Sequence, residues 1–279
     1  MKILSIVGAR PQIIKAASFS RYLKSLPDVE EILLHTGQHY DNNMSEDFFL
    51  EMNIPKPNYN LEVGSDSQAK QTARMMMGID NIILKECPDF ILVYGDTNST
   101  LAGSLVGTKH FIPVIHVEAG LRSYDRTMPE EINRILSDKI STILFCPSKV
   151  AVDNLKKEGI QEGVYDVGDI LLETYQYYKE KAQTNSSVLN EYNLVPKQYS
   201  LCTIHRASNT DNLKNLKNIF TGLTASGEMI ILPMHPRTRK IINMNRSFNK
   251  YIGNNIRIID PVGYLDMISL EANAKKIVT

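Results

Sequence analysis

An α/β protein of two lobes, each a parallel sheet with helical crossovers, is what this sequence predicts, and three observations carry the prediction. Short β-rich apolar runs alternate with longer helical patterns along the chain. The loops after those runs are rich in Gly and in ionisable or hydroxyl residues. The strand rhythm lapses once, from about Asp169, and resumes near Tyr199. Alternation of strand and helix is the signature of parallel sheets buried on both faces. In such sheets binding chemistry gathers just past the carboxyl ends of the strands, where these loops lie.

Taken in order, the first series of strands is ILSIV (3–7), EILL (31–34), FILVY (90–94), PVIHV (113–117), TILFC (142–146) and VYDV (164–167). A helix begins after Met128: Pro129 suits the first helical position, Glu130 and Glu131 favour the positive end of the dipole, and Ile132, Ile135, Leu136 and Ile140 make one apolar face. Glu130 and Arg134 fall one turn apart on it, the spacing of a surface ion pair. The stretch QTNSSVLNEYNLVPKQ (183–198) reads as a connection, and SLCTI (200–204), MIILP (229–233), NIRII (255–259) and KKIVT (275–279) form a second series. The expected organisation is a first lobe over 1–169, a connecting helix and linker over 170–198, and a nucleotide-binding lobe over 199–279. That second lobe is expected to be incomplete, because it is short and stops at a strand's carboxyl end.

Composition narrows the function classes. Of 279 residues, 43% are hydrophobic and 22% charged, the balance of an ordinary globular protein. Lys+Arg and Asp+Glu both total 31, which recommends neither nucleic acid nor an anionic membrane as partner. Cys87, Cys146 and Cys202 lack paired metal-ligand spacing and read as buried small hydrophobes in a reducing compartment. No stretch approaches the ~20 apolar residues of a membrane span, so a cytoplasmic location is the default.

The motifs sit at strand ends. In GARPQIIKAA (8–17), Pro11 starts a helix whose free N–H groups, with Arg10 and Lys15, suit a diphosphate; a loop Arg and a solvated Lys fit the same residues. Neither the dinucleotide fingerprint nor the P-loop is present, since GSLVGTKH (103–110) fails by spacing. His35 and His39 flank Gly37 in a loop, and His116 and Glu118 alternate on one strand; neither pair has a convincing third ligand, so no metal is expected. GDTNST (95–100) and HVEAGLRS (116–123) put Asp96 and Glu118 at the ends of neighbouring strands, with Glu130 reachable through the 119–129 loop. Converging carboxylates shift one another's pKa and divide into acid and base; capping acids fit the spacing as well. TIHRASNTDN (203–212) brings His205 and Arg206 to a strand end ahead of a cap at Asn209 or Thr210, and MHPRT (234–238) repeats the idea with His235 and Arg237. Two basic clusters at successive strand ends favour an anion-binding cleft.

Together GARPQIIKAA, HTGQHYDNNM, VYGDTNSTLAG, HVEAGLRS, MPEEINR, TIHRASNTDN and HPRT, in this order over essentially the whole chain, resemble the non-hydrolysing UDP-N-acetylglucosamine 2-epimerase family. The resemblance implies two Rossmann-like lobes in the glycosyltransferase-B arrangement, a cytoplasmic homodimer, a UDP-sugar substrate, and no redox cofactor or metal. It implies that UDP is eliminated to leave a glycal and then added back. By position it gives acid, base and charge-stabilising roles to Asp96, Glu118 and Glu130, and places Lys15 beside Arg10 at the diphosphate. A catalytic or phosphate-contacting role falls to His205, substrate contacts to Arg206 and His235, and orientation of the carboxylates to Arg134. Two departures stand out. Family members continue past the strand that resembles KKIVT into an Asp-Ser-Gly-Gly loop and a helix. Gln12 also stands where the best-known members carry an acid, and DNNMSED (41–47) differs from their Met-Leu-Asp stretch, which is nearer the branch with epimerases of UDP-diacetamido-uronic acids. A retaining glycosyltransferase of the same architecture and a truncated, non-catalytic nucleotide-sugar-binding relative are the alternatives.

Overall fold

A computed structural model describes residues 1–38, 49, 54, 56–204, 207–210 and 212–279. The chain divides into a unit of Met1–Thr174 and a unit of Tyr175–Thr279. In the first, β1 (Lys2–Val7), β2 (Glu30–His35), β3 (Tyr59–Asn60), β4 (Phe90–Tyr94), β5 (Val114–Val117), β6 (Ile143–Cys146) and β7 (Val164–Asp166) form one sheet in the order β3-β2-β1-β4-β5-β6-β7. Every pairing in it is parallel. Its helices are α1 (Arg10–Leu23), α2 (Gln68–Glu86), α3 (Asn98–Lys109), α4 (Pro129–Ile140), α5 (Lys149–Lys157) and α6 (Ile170–Asn185), the last running on into the second unit. The order reverses between β1 and β4, so the loops after these two strands diverge and open a crevice.

The second unit repeats the plan. Strands β8 (Ser200–Cys202), β9 (Ile230–Pro233), β10 (Ile256–Ile259) and β11 (Lys276–Val278) lie in the order β10-β9-β8-β11, again all parallel, with the reversal between β8 and β11. Its helices are α7 (Val188–Glu191), α8 (Ala207–Thr210), α9 (Leu213–Ala225), α10 (Pro236–Met244) and α11 (Tyr264–Asn273), with a 3₁₀ turn at Arg246–Tyr251. Side chains alternate across this sheet: Ile230 and Leu232 join a core with Leu216, Phe220 and Phe248, whereas Leu201 and Ile231 face Tyr199, Leu270 and Val188. The polar stretch 183–198 thus contributes Val188 and Leu194 to a core.

All ten apolar runs read from the sequence form strands, most of them buried on both faces, as parallel strands are, although β7 and β11 at the sheet edges are not. The two-residue β3 was not expected. Two other expectations change. Cys146 and Cys202 are buried, but Cys87 is exposed: it ends α2 in the left-handed region at φ 47°, turned outward while its N–H donates to Ile83 O at 2.9 Å. The cap of α9 is Asn212, whose Oδ1 accepts from Lys214 N and Asn215 N at 3.0 and 3.3 Å, and not Asn209 or Thr210, which belong to α8.

The β1–α1 turn is held by Gln12, which is 1% exposed. Its Oε1 accepts from Gly8 N and Ala9 N at 2.8 and 3.1 Å, and its Nε2 donates to Tyr94 O at 2.7 Å and Thr100 Oγ1 at 3.0 Å. One amide therefore satisfies two donors at a helix start and ties the turn to the end of β4, across the point where the strand order reverses. Gln12→Leu leaves Gly8 N and Ala9 N buried without an acceptor and should lower stability by about 2–6 kcal/mol, at ~1–3 kcal/mol per unsatisfied group. Urea unfolding checks this, and a loss below about 0.5 kcal/mol would mean the turn is held elsewhere.

Candidate active site

Three strand-end loops converge at the first unit's crevice. Past β4 come Gly95 and Asp96, past β5 comes Glu118, and α1 brings Lys15 from the turn after β1. Lys15 is 6% exposed and its Nζ makes an ion pair with Glu118 Oε2. Burial pushes the Lys15 pKa below its ordinary value, against the fields of Asp96 and Asp169, which favour the charged form. Gly95 makes room for the pair: at φ +63°, a Cβ there would stand 3.2 Å from both Glu118 Oε2 and Lys15 Nζ. Asp96 pairs with Arg134 NH2, and Arg134 NH1 lies 3.2 Å from Glu131 Oε2. Arg134 thus bridges Asp96 and Glu131, while Glu130 stands exposed in the first turn of α4.

Helix α4 is turned opposite to its apolar pattern. Glu131, Asn133, Ser137 and Asp138 are its buried residues, whereas Ile132 and Leu136 are 36% and 44% exposed. The polar face is inward because it finishes the site. Glu131 Oε2 accepts from Ser123 N and Ser123 Oγ at 2.9 Å each, and its Oε1 accepts from Tyr124 N at 2.9 Å. Burial alone would raise the Glu131 pKa; those bonds and Arg134 override it and hold the carboxyl below its ordinary range. Asn133 Nδ2 donates to Asp96 O at 3.0 Å and to Asn98 Oδ1 at 3.1 Å.

Asp138 does the same for the loop that carries Glu118. His116, fully buried on β5, faces Asp138 Oδ1 through Nδ1 at 2.8 Å and Gly95 O through Nε2 at 2.7 Å. Asp138 Oδ2 accepts from Gly120 N at 3.1 Å and Arg122 NH1 at 2.7 Å, and Arg122 makes a two-pronged contact with Glu158 at 2.7 and 2.8 Å. Glu118 N and Ala119 N both donate to Phe145 O at 3.0 Å. Held in this way, Glu118 adopts φ +72°, a left-handed conformation that costs a non-glycine residue about 1–3 kcal/mol.

The remaining residues expected at a site distribute as follows. Arg10 is exposed at the first position of α1. His235 is exposed just ahead of α10. His39, His205 and Arg206 lie outside the described residues, as does the side chain of Arg237. Among the described residues no cluster of three or more His, Cys, Asp or Glu is placed to hold a metal, and no helix is long and apolar enough to cross a membrane. In the second unit, a cavity of about 460 Å³ opens at the ends of β8 and β11, lined by Cys202, Thr203, Ile204, Asn209, Ile219, Val278 and Thr279. The functional contributors not read from the sequence are Gln12, Glu131 and Asp138. Only Gln12 carried a local signal, an amide three residues into a helix, and Ala9 in place of a capping Ser or Thr conceals it.

Burial would raise the Asp138 pKa, yet the bonds from His116 and Arg122 prevail and keep it below the ordinary value. A depressed carboxyl pKa stabilises the fold above the unfolded value, about 3.9, and that contribution fades as pH falls through the folded value. Asp138→Asn removes the buried carboxylate that His116 and Arg122 share and should cost about 3–5 kcal/mol at pH 7. The gap from wild type should narrow below pH ~4. Denaturant titrations at several pH values test both statements; a gap that stays constant with pH would refute the charged role of Asp138.

Comparison with known proteins identifies the family. The sequence profile of UDP-N-acetylglucosamine 2-epimerase matches residues 21–279. A UDP-N-acetylglucosamine 2-epimerase homolog of Methanococcus maripaludis is 53% identical over 281 residues, 100% of this chain and 78% of that protein. The UDP-2,3-diacetamido-2,3-dideoxy-D-glucuronate 2-epimerase of Pseudomonas aeruginosa is 45% identical, over 97% of this chain and 75% of its own. The crystal structure of Methanocaldococcus jannaschii UDP-GlcNAc 2-epimerase in complex with UDP-GlcNAc and UDP matches with a TM-score of 0.88 and 44% identity, covering 99% of this chain and 78% of that one. The expected fold class, Rossmann-like lobes of the glycosyltransferase-B kind, is the class of these structural neighbours. With the profile and the relatives spanning nearly all of its length, this chain belongs to the UDP-N-acetylglucosamine 2-epimerase family, a family of isomerases.

Proposed function

We propose that the protein inverts carbon 2 of a UDP-linked 2-acetamido sugar, UDP-N-acetylglucosamine or a diacetamido relative, by eliminating UDP and adding it back. The observation that carries this reading is the pair of carboxylates at adjacent strand ends, each with its own cation: Glu118 with Lys15 and Asp96 with Arg134. Carbon 2 has no neighbouring carbonyl, so its proton is too weakly acidic for direct removal. Breaking the C1–O bond solves this: the electron pair leaves with UDP, positive charge grows at C1, and a carboxylate takes the C2 proton to give a C1–C2 double bond. A proton then returns to C2 on the other face, and the UDP oxygen attacks C1.

Each residue has a role in this scheme. Asp96, Glu118 and Glu130 stabilise the cationic centre and move the proton, as paired carboxyls do in glycoside cleavage. Arg10, Lys15 and the start of α1 receive charge on the departing diphosphate. Arg134 fixes Asp96. By motif, substrate contacts are assigned to His205, Arg206 and His235. Keeping both fragments bound turns their recombination into an intramolecular step. No metal or redox group is needed for any step.

The same proposal includes a homodimer, cytoplasmic residence and service to polysaccharide assembly, which consumes activated amino sugars. Support for the dimer comes from large apolar side chains left outward on α4 (Ile132, Leu136) and on the turn after α3, where Phe111 is 94% exposed. Free rather than bridged cysteines accord with a reducing compartment. A retaining glycosyltransferase is the less favoured reading, since the family match is to epimerases.

Incubation with UDP-N-acetylglucosamine in heavy water should place deuterium at C2, followed by NMR. UDP release that depends on an added acceptor, without deuterium, would instead identify a transferase. Glu118→Gln should lower turnover by about 10²–10⁴-fold with binding largely kept, the range for a general acid or base. A loss under ~10-fold removes Glu118 from the chemistry.

A further inference from the structure

Neutral amides link Asp96 to the loops after β2 and β3. Asn133 uses both hydrogens of its Nδ2, one to Asp96 O at 3.0 Å and one to Asn98 Oδ1 at 3.1 Å. Asn98, the first residue of α3, donates through Nδ2 to Gln68 Oε1 at 2.7 Å and Gln71 Oε1 at 2.8 Å, both in the first turn of α2. Gln71 in turn donates through Nε2 to Gln38 O at 3.2 Å and Gly64 O at 2.8 Å. Gln38 adds a second tie to α3, its Oε1 accepting from Ser99 N at 3.1 Å and Ser99 Oγ at 2.8 Å. Asn133, Asn98 and Gln71 are all buried, so water does not compete for these bonds. The backbone groups at the two ends settle which way each amide points. Gln38 O and Gly64 O only accept, so Gln71 turns its nitrogen to them and its oxygen to Asn98. Asn98 then presents nitrogen to Gln71 and oxygen to Asn133, whose nitrogen meets a third pure acceptor, Asp96 O. Turning over any one of the three sets like groups face to face, which buried polar atoms rarely tolerate.

We propose that Asn98 is a positioning residue for Asp96. Two consecutive residues of α4 grip Asp96, Arg134 at its carboxylate and Asn133 at its carbonyl. Fixing both ends of one residue fixes the aim of its side chain. Asn133 keeps that grip because Asn98 takes its other hydrogen, and Asn98 is aimed in turn by Gln71. The strand order reverses between β1 and β4, so the loops after β2 and β3 stand on one side of the crevice and Asp96 on the other. The amide series joins the two sides. Uncharged amides suit this task, since they hold position and place no further charge beside the carboxylate. Asn98 acts through Asn133 and not on the substrate, and its bearing on the reaction rests on the function proposed above, in which Asp96 works at the sugar ring.

The test follows deuterium incorporation at C2 of UDP-N-acetylglucosamine in wild type, Asn98→Leu, Asn133→Leu, the two combined, and Gln71→Met, with folding checked by thermal melting and Asp96 located by crystallography. Asn98→Leu keeps the side-chain volume and removes the relay's central amide. It should lower kcat by about 10–100-fold, the effect of displacing a reacting group by roughly an ångström. KM should change less than ~3-fold, because the loss falls on the reacting geometry and not on binding. Asn133→Leu should cost a similar factor, and the combined variant less than ~3-fold more, since both act on Asp96 by one path. Gln71→Met breaks the far end of the relay, leaves Asn98 in place and should still lower kcat at least ~3-fold; it carries the test where Asn98→Leu does not fold. In crystals of either variant the Asp96 carboxylate should be turned away from Arg134. Asp96 unmoved in both, losses that multiply in the combined variant, or a raised KM at constant kcat would overturn the proposal. The crystals separate it from the reaction. Exchange in wild type with Asp96 fixed in every variant sinks the positioning role and keeps the epimerase, whereas a displaced Asp96 with no exchange in wild type does the reverse.

Discussion

The site depends on a buried polar contact surface between α4 and the loops after β4 and β5. Asp138, fully enclosed, accepts from His116, Gly120 and Arg122, and through them fixes the Gly95 carbonyl and the loop that holds Glu118. Glu131, about two turns earlier on α4, does the same for Ser123 and Tyr124 and reaches Asp96 through Arg134. Buried charge of this kind is a poor source of stability, since desolvation cancels much of the attraction. What it provides is position. An apolar α4 interface would pack as well and would leave two strand ends free to choose other conformations.

That positioning explains how an unfavourable backbone persists at Glu118. A left-handed glutamate survives only where its surroundings determine it several times over. Here Phe145 O takes the N–H groups of Glu118 and Ala119, Asp138 takes that of Gly120, and Asn154 Nδ2 donates to Gly120 O at 3.0 Å. Gly120 itself, at φ +78°, has no space for a Cβ against the Ala151 carbonyl. The loop is thereby locked before any substrate arrives, and the carboxylate is presented at the crevice with its partner Lys15 already in contact.

Much of this architecture was legible because parallel sheets advertise themselves. Strands β1, β4, β5 and β9 are mostly apolar, and the loops after them carry the residues with chemistry, so Asp96 and Glu118 could be placed near each other from strand ends. That inference took the two strands to be neighbours, and β4 and β5 do pair. Periodicity failed at α4, where Ile132 and Leu136 mark an apolar face correctly but not the direction it faces. A hydrophobic stripe says that something covers it, and nothing about whether the cover is this chain's own sheet. Asp138 and Glu131 were illegible for a related reason: a carboxylate on a helix looks like a surface acid until its donors, 16 and 8 residues away at Arg122 and Ser123, are brought to it by the fold. Two-residue β3 offers too short a pattern to register at all.

The three carboxylates end in unlike surroundings, and this bears on how one site could perform both halves of a reversible proton transfer. Glu118 faces an enclosed lysine, Asp96 a half-buried arginine that is shared with Glu131, and Glu130 stands exposed on the first turn of α4. Asp96 is held opposite a guanidinium that it shares with Glu131. Lysine can lose its proton, and burial at Lys15 moves it in that direction. A proton placed on Glu118 therefore sits next to a group able to share it, while one placed on Glu130 exchanges with water. In the proposed reaction the two faces of carbon 2 must be served by groups whose proton affinities differ and can reverse between elimination and addition. The surroundings differ in that way: Glu118 is paired with a buried lysine, Asp96 with a shared arginine, and Glu130 is exposed on α4.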